Sequence, residues 1–260
     1  MSSILNISAY KFVGLPDAQT LRDVLFDRAQ GHGLKGTVLL AEEGINLFLA
    51  GPADGIRAWV DALRKDARFA ALSPKESWSE GVPFKKLLVK VKPEIIRMNH
   101  PAIRPDAQER APAIKPVDLA RWLDQGHDDA GRPVVMLDTR NAFEVDYGAF
   151  DEAIDWRIAK FSEFPEAAQA HLNELAGKTV VSYCTGGIRC EKAAIVLQQL
   201  GVNALQLEGG ILKYFEETQN APHYHGGCFV FDDREALGAA LEPATEIERP
   251  ASESHRAKSL

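Results

Sequence analysis

The chain has 260 residues, 45% hydrophobic and 26% charged, a length that fits two modest domains better than one and a composition that excludes wholesale disorder or a collagen-like repeat. A formal net charge of -7 argues against indiscriminate nucleic-acid binding, so any RNA contact has to be a local basic patch. No uncharged apolar run nears the roughly 20 residues of a membrane-spanning helix, Met1 to Tyr10 lacks a basic start with an apolar core, and three cysteines are too few for a disulfide framework, so a cytoplasmic protein off the membrane is expected.

Residues 1–92 read as two repeats of strand, helix, strand. The first takes Leu5 to Val13, a helix over Asp17 to Ala29, and Thr37 to Ala41; the second takes Ile45 to Ala50, a helix over Pro52 to Arg64, and Ala71 to Trp78. That order predicts a ferredoxin-like α+β sandwich. Leu21, Val24 and Leu25 recur at helical spacing in the first helix and Ile56, Trp59, Val60 and Leu63 in the second, so both helices should cover one face of the sheet. A further strand over Lys86 to Lys92 alternates Leu87, Val89 and Val91 with Lys86, Leu88, Lys90 and Lys92, which predicts one buried and one largely cationic face.

Residues 93–114 carry Pro93, Pro101, Pro105 and Pro112, too many interruptions for a helix or central strand, and read as a linker. From Lys85 to Arg104 the cations Lys85, Lys86, Lys90, Lys92, Arg97 and Arg104 face one acid, Glu94. In an acidic chain this is the RNA-binding candidate, against the plainer reading of a solvated strand face. Tyr10, Trp78 and Phe84 could stack a base beside it, although strand aromatics are more often core.

Residues 115–222 alternate apolar strands, Val134 to Leu137, Val180 to Tyr183 and Ala204 to Leu207, with helices over Glu163 to Leu175 and Cys190 to Leu200, which predicts a parallel sheet covered on both faces. Cys184 follows the middle strand and stands before a helix, where α/β folds place ligands and backbone N–H groups favour an anion. Thr185, Gly186, Gly187, Ile188, Arg189 and Cys190 complete the loop. The glycines let the backbone curl around the sulfur, and Arg189 is expected to set a full positive charge on its rim. A lowered thiol pKa, favouring a thiolate or persulfide, follows. The loop from Cys184 to Arg189 is one residue shorter than the ring that cysteine phosphatases close on phosphate, so it suits a sulfur atom better.

Leu137-Asp138-Thr139-Arg140-Asn141-Ala142-Phe143-Glu144, the Cys184 to Arg189 loop and Leu207-Glu208-Gly209-Gly210-Ile211 resemble the rhodanese superfamily. More narrowly, the string Cys184 to Lys192, Gly36 to Ala41 with Glu43-Gly44-Ile45-Asn46, and Tyr224 to Asp232 are similar to the bacterial tRNA uridine hydroxylase family. The resemblance implies an N-terminal ferredoxin-like (acylphosphatase-like) domain followed by a rhodanese-like α/β domain with a parallel central sheet. It also implies oxygen-dependent conversion of the wobble uridine of tRNA to 5-hydroxyuridine, with Cys184 essential, dioxygen as co-substrate and the tRNA anticodon arm as partner. The alternatives are a sulfurtransferase carrying a persulfide on Cys184 and, from another class, a catalytically silent binding module.

Asp138 and Arg140 are expected to pair and brace the loop rather than to act as acid and base. Cys190 either resolves chemistry on Cys184 or packs beneath the loop. His223, His225 and Cys228 have zinc-ligand types, but beside Gly226 and Gly227 a polar turn is the expected reading, and no resident cofactor or metal is assigned. Many relatives of the family carry a cysteine-rich C-terminal extension, whereas residues 223–260 form a C-terminal segment expected to fray after about residue 242, with no cysteine from Thr245 onward.

Overall fold

The computed structural model describes residues 3–244. The N-terminal half runs β1 (Ile4–Phe12), α1 (Ala18–Gly31), β2 (Lys35–Ala41), β3 (Gly44–Gly51), α2 (Ala53–Arg64), β4 (Lys75–Ser79) and β5 (Leu87–Val91). Its sheet has the order β4-β1-β3-β2-β5, antiparallel except for the β2–β5 edge. This is the ferredoxin-like arrangement with one strand added.

The period-2 alternation of β1 divides the two faces. Leu5, Ile7 and Ala9 join Leu25, Ile56, Trp59 and Leu63 in one core, so both helices do cover one face, and the Trp59 indole donates to the Leu25 carbonyl at 3.3 Å. Tyr10 and Phe12 turn the other way and pack with Ala41 against Ile95 and Ile188 of the second half. The alternation predicted for the last strand fails at its end. Val89 is buried but Val91 is 39% exposed, because it closes an edge strand rather than lying under α1.

The expected linker is a packed strap. Ile95, Met98, Ile103 and Ala111 are buried, three of them in the core of the second half. Its prolines prevent regular structure without keeping apolar side chains in water. Its boundary also moves, since Ala113–Ile114 is a strand, β6, of the second sheet.

The second half continues with α3 (Pro116–Gln125), β7 (Val134–Asp138), α4 (Ala142–Val145), β8 (Gly148–Phe150), α5 (Phe164–Ala170), β9 (Thr179–Tyr183), α6 (Ile188–Gln199), β10 (Asn203–Leu207) and α7 (Gly210–Glu217). The strands β6-β10-β9-β7 form a parallel sheet. Phe164, Ala193 and Leu197 pack on one side of it, and Leu119, Ile211 and Phe215 on the other, as β-branched, doubly covered strands require.

The segment after α7 is ordered through residue 244. β11 (Tyr224–Gly226) pairs with β8, and β12 (Cys228–Phe229) pairs with β13 (Ala236–Leu237). Most of the expected frayed tail, residues 245–260, lies outside the described residues. Among the described residues no helix is long and apolar enough to cross a membrane.

Candidate active site

Strand β9 is completely buried, and Cys184 is the first residue past its end, itself fully buried. The backbone then turns through Thr185, Gly186 and Gly187 into α6. Gly187 has φ +98, and a β-carbon there would meet the Tyr10 hydroxyl at 3.1 Å. This curl lets the Gly187 N–H donate to Cys184 Sγ at 3.1 Å.

The loop is held from behind by the glycine pair after β10. The N–H of Ile211 donates to the Cys184 carbonyl at 2.9 Å and that of Leu212 to the Thr185 carbonyl at 3.1 Å. A β-carbon on Gly210 would come within 2.3 Å of the Cys184 carbonyl oxygen, so α7 can approach the loop this closely only through glycine.

Arg189 does not stand on the rim as a free charge. Its side chain is 6% exposed and forms a two-pronged ion pair with the fully buried Glu144 at 2.6 and 2.7 Å. A guanidinium leaving water beside an apolar core requires such a partner. Asp138 and Arg140 form a second pair with both side chains 0% exposed, at 2.6 Å, and Arg140 also donates to the Gly148 carbonyl at 2.7 Å. Thr139 donates to the Tyr183 carbonyl at 2.8 Å and lies 3.9 Å from Cys190 Sγ.

Burial alone would raise the Cys184 thiol pKa. A hydrogen bond from Cys190, the positive charge of Arg189 and the backbone N–H groups of Arg189 and Gly187 outweigh it, so Cys184 sits well below the ordinary thiol value. Cys190 moves the opposite way, pushed up by burial and by the neighbouring Cys184, and stays a protonated donor. The two cysteines thus divide into one thiolate and one thiol. Cys228 is buried and pushed up to about 12 by desolvation.

The N-terminal half completes the site, and little in its sequence marks those residues. Lys75 Nζ donates to the Gly186 carbonyl at 3.1 Å, and the Ser8 hydroxyl faces the same glycine. Burial lowers the Lys75 pKa while Cys184 raises it. Tyr10 lies against the loop, its phenol pushed up by burial, Cys190 and Cys184.

Three more side chains tie α6 to other parts of the chain. Lys192, buried at 1% relative exposure, donates to Glu43 at 2.8 Å, Glu94 at 2.7 Å and the Ile96 carbonyl at 3.1 Å. Glu191 pairs with Arg110 of the strap. Glu43, in the turn before β3, also accepts from Ile95 N–H at 2.8 Å.

Beside the loop lies a small cleft that opens to solvent. Lys75 and Phe84 line one wall, Thr185 and Leu212 the second, and Val230 and Arg234 the third. None of the six RNA-binding candidates lines it. Lys85, Lys86, Lys92 and Arg97 are exposed, Lys90 and Arg104 half-buried. Arg104 is neutralised by Asp106 at 2.8 Å, and Arg97 donates to Asn99 at 2.9 Å. Trp78 is 43% exposed, against its expected place in the core.

His223 pairs with Asp124 at 2.7 Å and His225 with Asp151 at 3.2 Å, while Cys228 is buried apart from them. Among the described residues no three His, Cys, Asp or Glu side chains converge to hold a metal ion.

Residues 4–95 match the UPF0176 acylphosphatase like domain and residues 117–217 the rhodanese-like domain. The chain is 68% identical, over 93% of its length and 91% of the relative's, to the tRNA uridine(34) hydroxylase of Delftia acidovorans (strain DSM 14801 / SPH-1). It is 64% identical, over the same shares, to the protein of that name from Variovorax paradoxus (strain S110). A crystal structure of a rhodanese-related protein from Thermoplasma volcanium is 26% identical and covers 41% of this chain and 92% of its own, with a TM-score of 0.33. With an acylphosphatase-like half, a rhodanese-like half and this identity along nearly its whole length, the chain belongs to the tRNA uridine(34) hydroxylase family.

Proposed function

We propose that this protein hydroxylates the wobble uridine, position 34, of tRNA to 5-hydroxyuridine, with Cys184 as the essential side chain and dioxygen as co-substrate. The family membership supports the reaction, and the observation that carries the site is the Cys184 sulfur itself. It accepts the Gly187 N–H at 3.1 Å, lies one residue before Thr185, which lines an interdomain cleft, and is held below the ordinary thiol value.

A wobble base is already unpaired in its loop, so it reaches a cleft with little unstacking. A sulfur that is anionic at neutral pH is a strong nucleophile toward an electron-poor ring carbon, and the opposed Cys190 stays protonated beside it. The anticodon arm is gripped by the N-terminal domain and the exposed cations Lys85, Lys86, Lys92 and Arg97, with Lys90 and Arg104 contributing less because they are half-buried. Asp138 with Arg140 and Glu144 with Arg189 hold the loop in shape as positioning pairs. The reading sets the reaction in the cytoplasm, with its tRNA.

The test is nucleoside mass spectrometry of undermodified tRNA incubated aerobically with the full chain. The wild type is expected to add one oxygen atom at the wobble uridine, and Cys184→Ser to lose about 10³-fold or more of that activity while unfolding at the same denaturant concentration. Full activity in the variant would remove Cys184 from the reaction. A wild type that adds no oxygen but passes sulfur to cyanide would favour the sulfurtransferase instead.

A further inference from the structure

Several polar side chains lining the cleft are already engaged, the Asn6 Oδ1 atom is without a partner, and Lys75 stands out because it also holds the Cys184 loop. Arg234 donates to Ser77 Oγ at 2.8 Å and to Asp232 at 2.6 and 2.8 Å, and the Thr185 hydroxyl donates to the Phe229 carbonyl at 3.3 Å. Lys75 also lines the cleft, and among the described residues its hydrogen-bond acceptor is the Gly186 carbonyl. An ammonium carries three donors and no acceptor, so two donors remain for whatever enters. Its other neighbour is the Tyr10 ring, 5.9 Å from Nζ, a contact that steadies the cation without using a donor.

The position of Lys75 carries the argument further. It belongs to the edge strand β4, yet it grips the carbonyl two residues past Cys184, so one side chain touches both the reactive loop and the open cleft. Phe48 and Phe84 line the same cavity and offer apolar surface for a flat ring. A base seated there meets a donor-only group. Uracil presents a carbonyl oxygen at C4, next to the C5 carbon that is hydroxylated, whereas cytosine presents an amino donor at C4. A donor facing a donor leaves both without a partner, and sites built this way reject the wrong analogue strongly.

We propose that the uracil base occupies the interdomain cleft and that Lys75 selects it, donating one N–H to the C4 carbonyl while another holds the Gly186 carbonyl and with it the Cys184 loop. The assignment rests on the uridine reading above and supplies its base selectivity from the domain that does not carry the cysteine. Burial weakens the hold of Lys75 on its proton and the negative sulfur of Cys184 strengthens it, consistent with the two groups sharing one site.

The experiment is equilibrium binding, by fluorescence anisotropy, of two anticodon stem-loop RNAs that differ only in U or C at the wobble position. The full-length wild type, Lys75→Met and Lys75→Arg are compared, with thermal unfolding as the check on folding. The wild type is expected to prefer the U loop by about 10-fold or more, the size of one charge-assisted hydrogen bond. Lys75→Met is expected to bind both loops alike, and Lys75→Arg, which keeps its donors, to retain most of the preference. A Lys75→Met protein that folds and discriminates as the wild type does would overturn the assignment, as would a wild type that binds both loops equally. Binding is read without turnover, so a failure of hydroxylation shows separately, as absent oxygen addition by a wild type that still discriminates.

Discussion

The two walls around the Cys184 loop, one from each half of the chain, are built by opposite means. The rhodanese wall is local: Cys184, Gly187, Arg189 and Cys190 lie within seven consecutive positions, and their partners Asp138, Thr139, Arg140 and Glu144 within another seven. The N-terminal wall is assembled from distant places, Ser8 and Tyr10 on β1, Glu43 in a turn and Lys75 on an edge strand. The first wall supplies a tuned sulfur, and the second supplies closure and contact with a substrate. Charge is handled differently as well. Within the rhodanese half Arg140 and Arg189 each have a buried carboxylate of their own, whereas Lys192, where α6 meets the N-terminal wall, serves both Glu43 and Glu94.

The sharpest way to break this comparison is to cut the link between the walls. Lys192→Met leaves Glu43 buried without its cation, and a loss of about 2–4 kcal/mol in urea unfolding is expected at neutral pH. Glu43 already has its pKa raised, by burial, and loss of Lys192 raises it further. For an acid with a raised folded value, stability is present below its unfolded value and is lost as pH rises through the folded one, so the deficit of the variant should shrink toward about pH 4–5. A deficit independent of pH would show that Glu43 is not the source.

A smaller effect sharpens the account of the first wall. Cys190→Ala removes the thiol hydrogen bond to Cys184, and the midpoint of thiolate formation, followed by ultraviolet absorbance, is expected to move up by about one pH unit. An unmoved midpoint would leave Arg189 and the backbone N–H groups as sufficient.

The smallest effect concerns the outer surface. Lys86→Glu with Lys92→Glu is expected to weaken tRNA binding several-fold at low salt and to lower the slope of log affinity against log salt by about one to two. Equal affinity and slope would take this strand face out of the RNA contact.

What could be read in advance follows the same division. The fold class of each half, the helix faces and the Cys184 loop were legible because alternation, helical spacing and a strand-Cys-Gly-Gly-helix string are local signals. The pairing of Asp138 with Arg140 is local too, only two residues apart. Lys75, Lys192 and the cleft were not legible, because their roles depend on contacts with Gly186 and Glu43 more than a hundred positions away. Arg189 was misplaced for a related reason, since its distance along the loop did not show that Glu144 would neutralise it. The strap was misread because prolines report backbone restriction, whereas Ile95, Met98 and Ile103 follow burial.

The most direct test of the central claim is mass spectrometry of the wobble nucleoside after reaction under isotopically heavy dioxygen, with wild type and Cys184→Ser side by side. One heavy oxygen atom is expected on C5 of the uracil with the wild type and none with the variant. Label absent from the product of the wild type, or present equally in both, would contradict it.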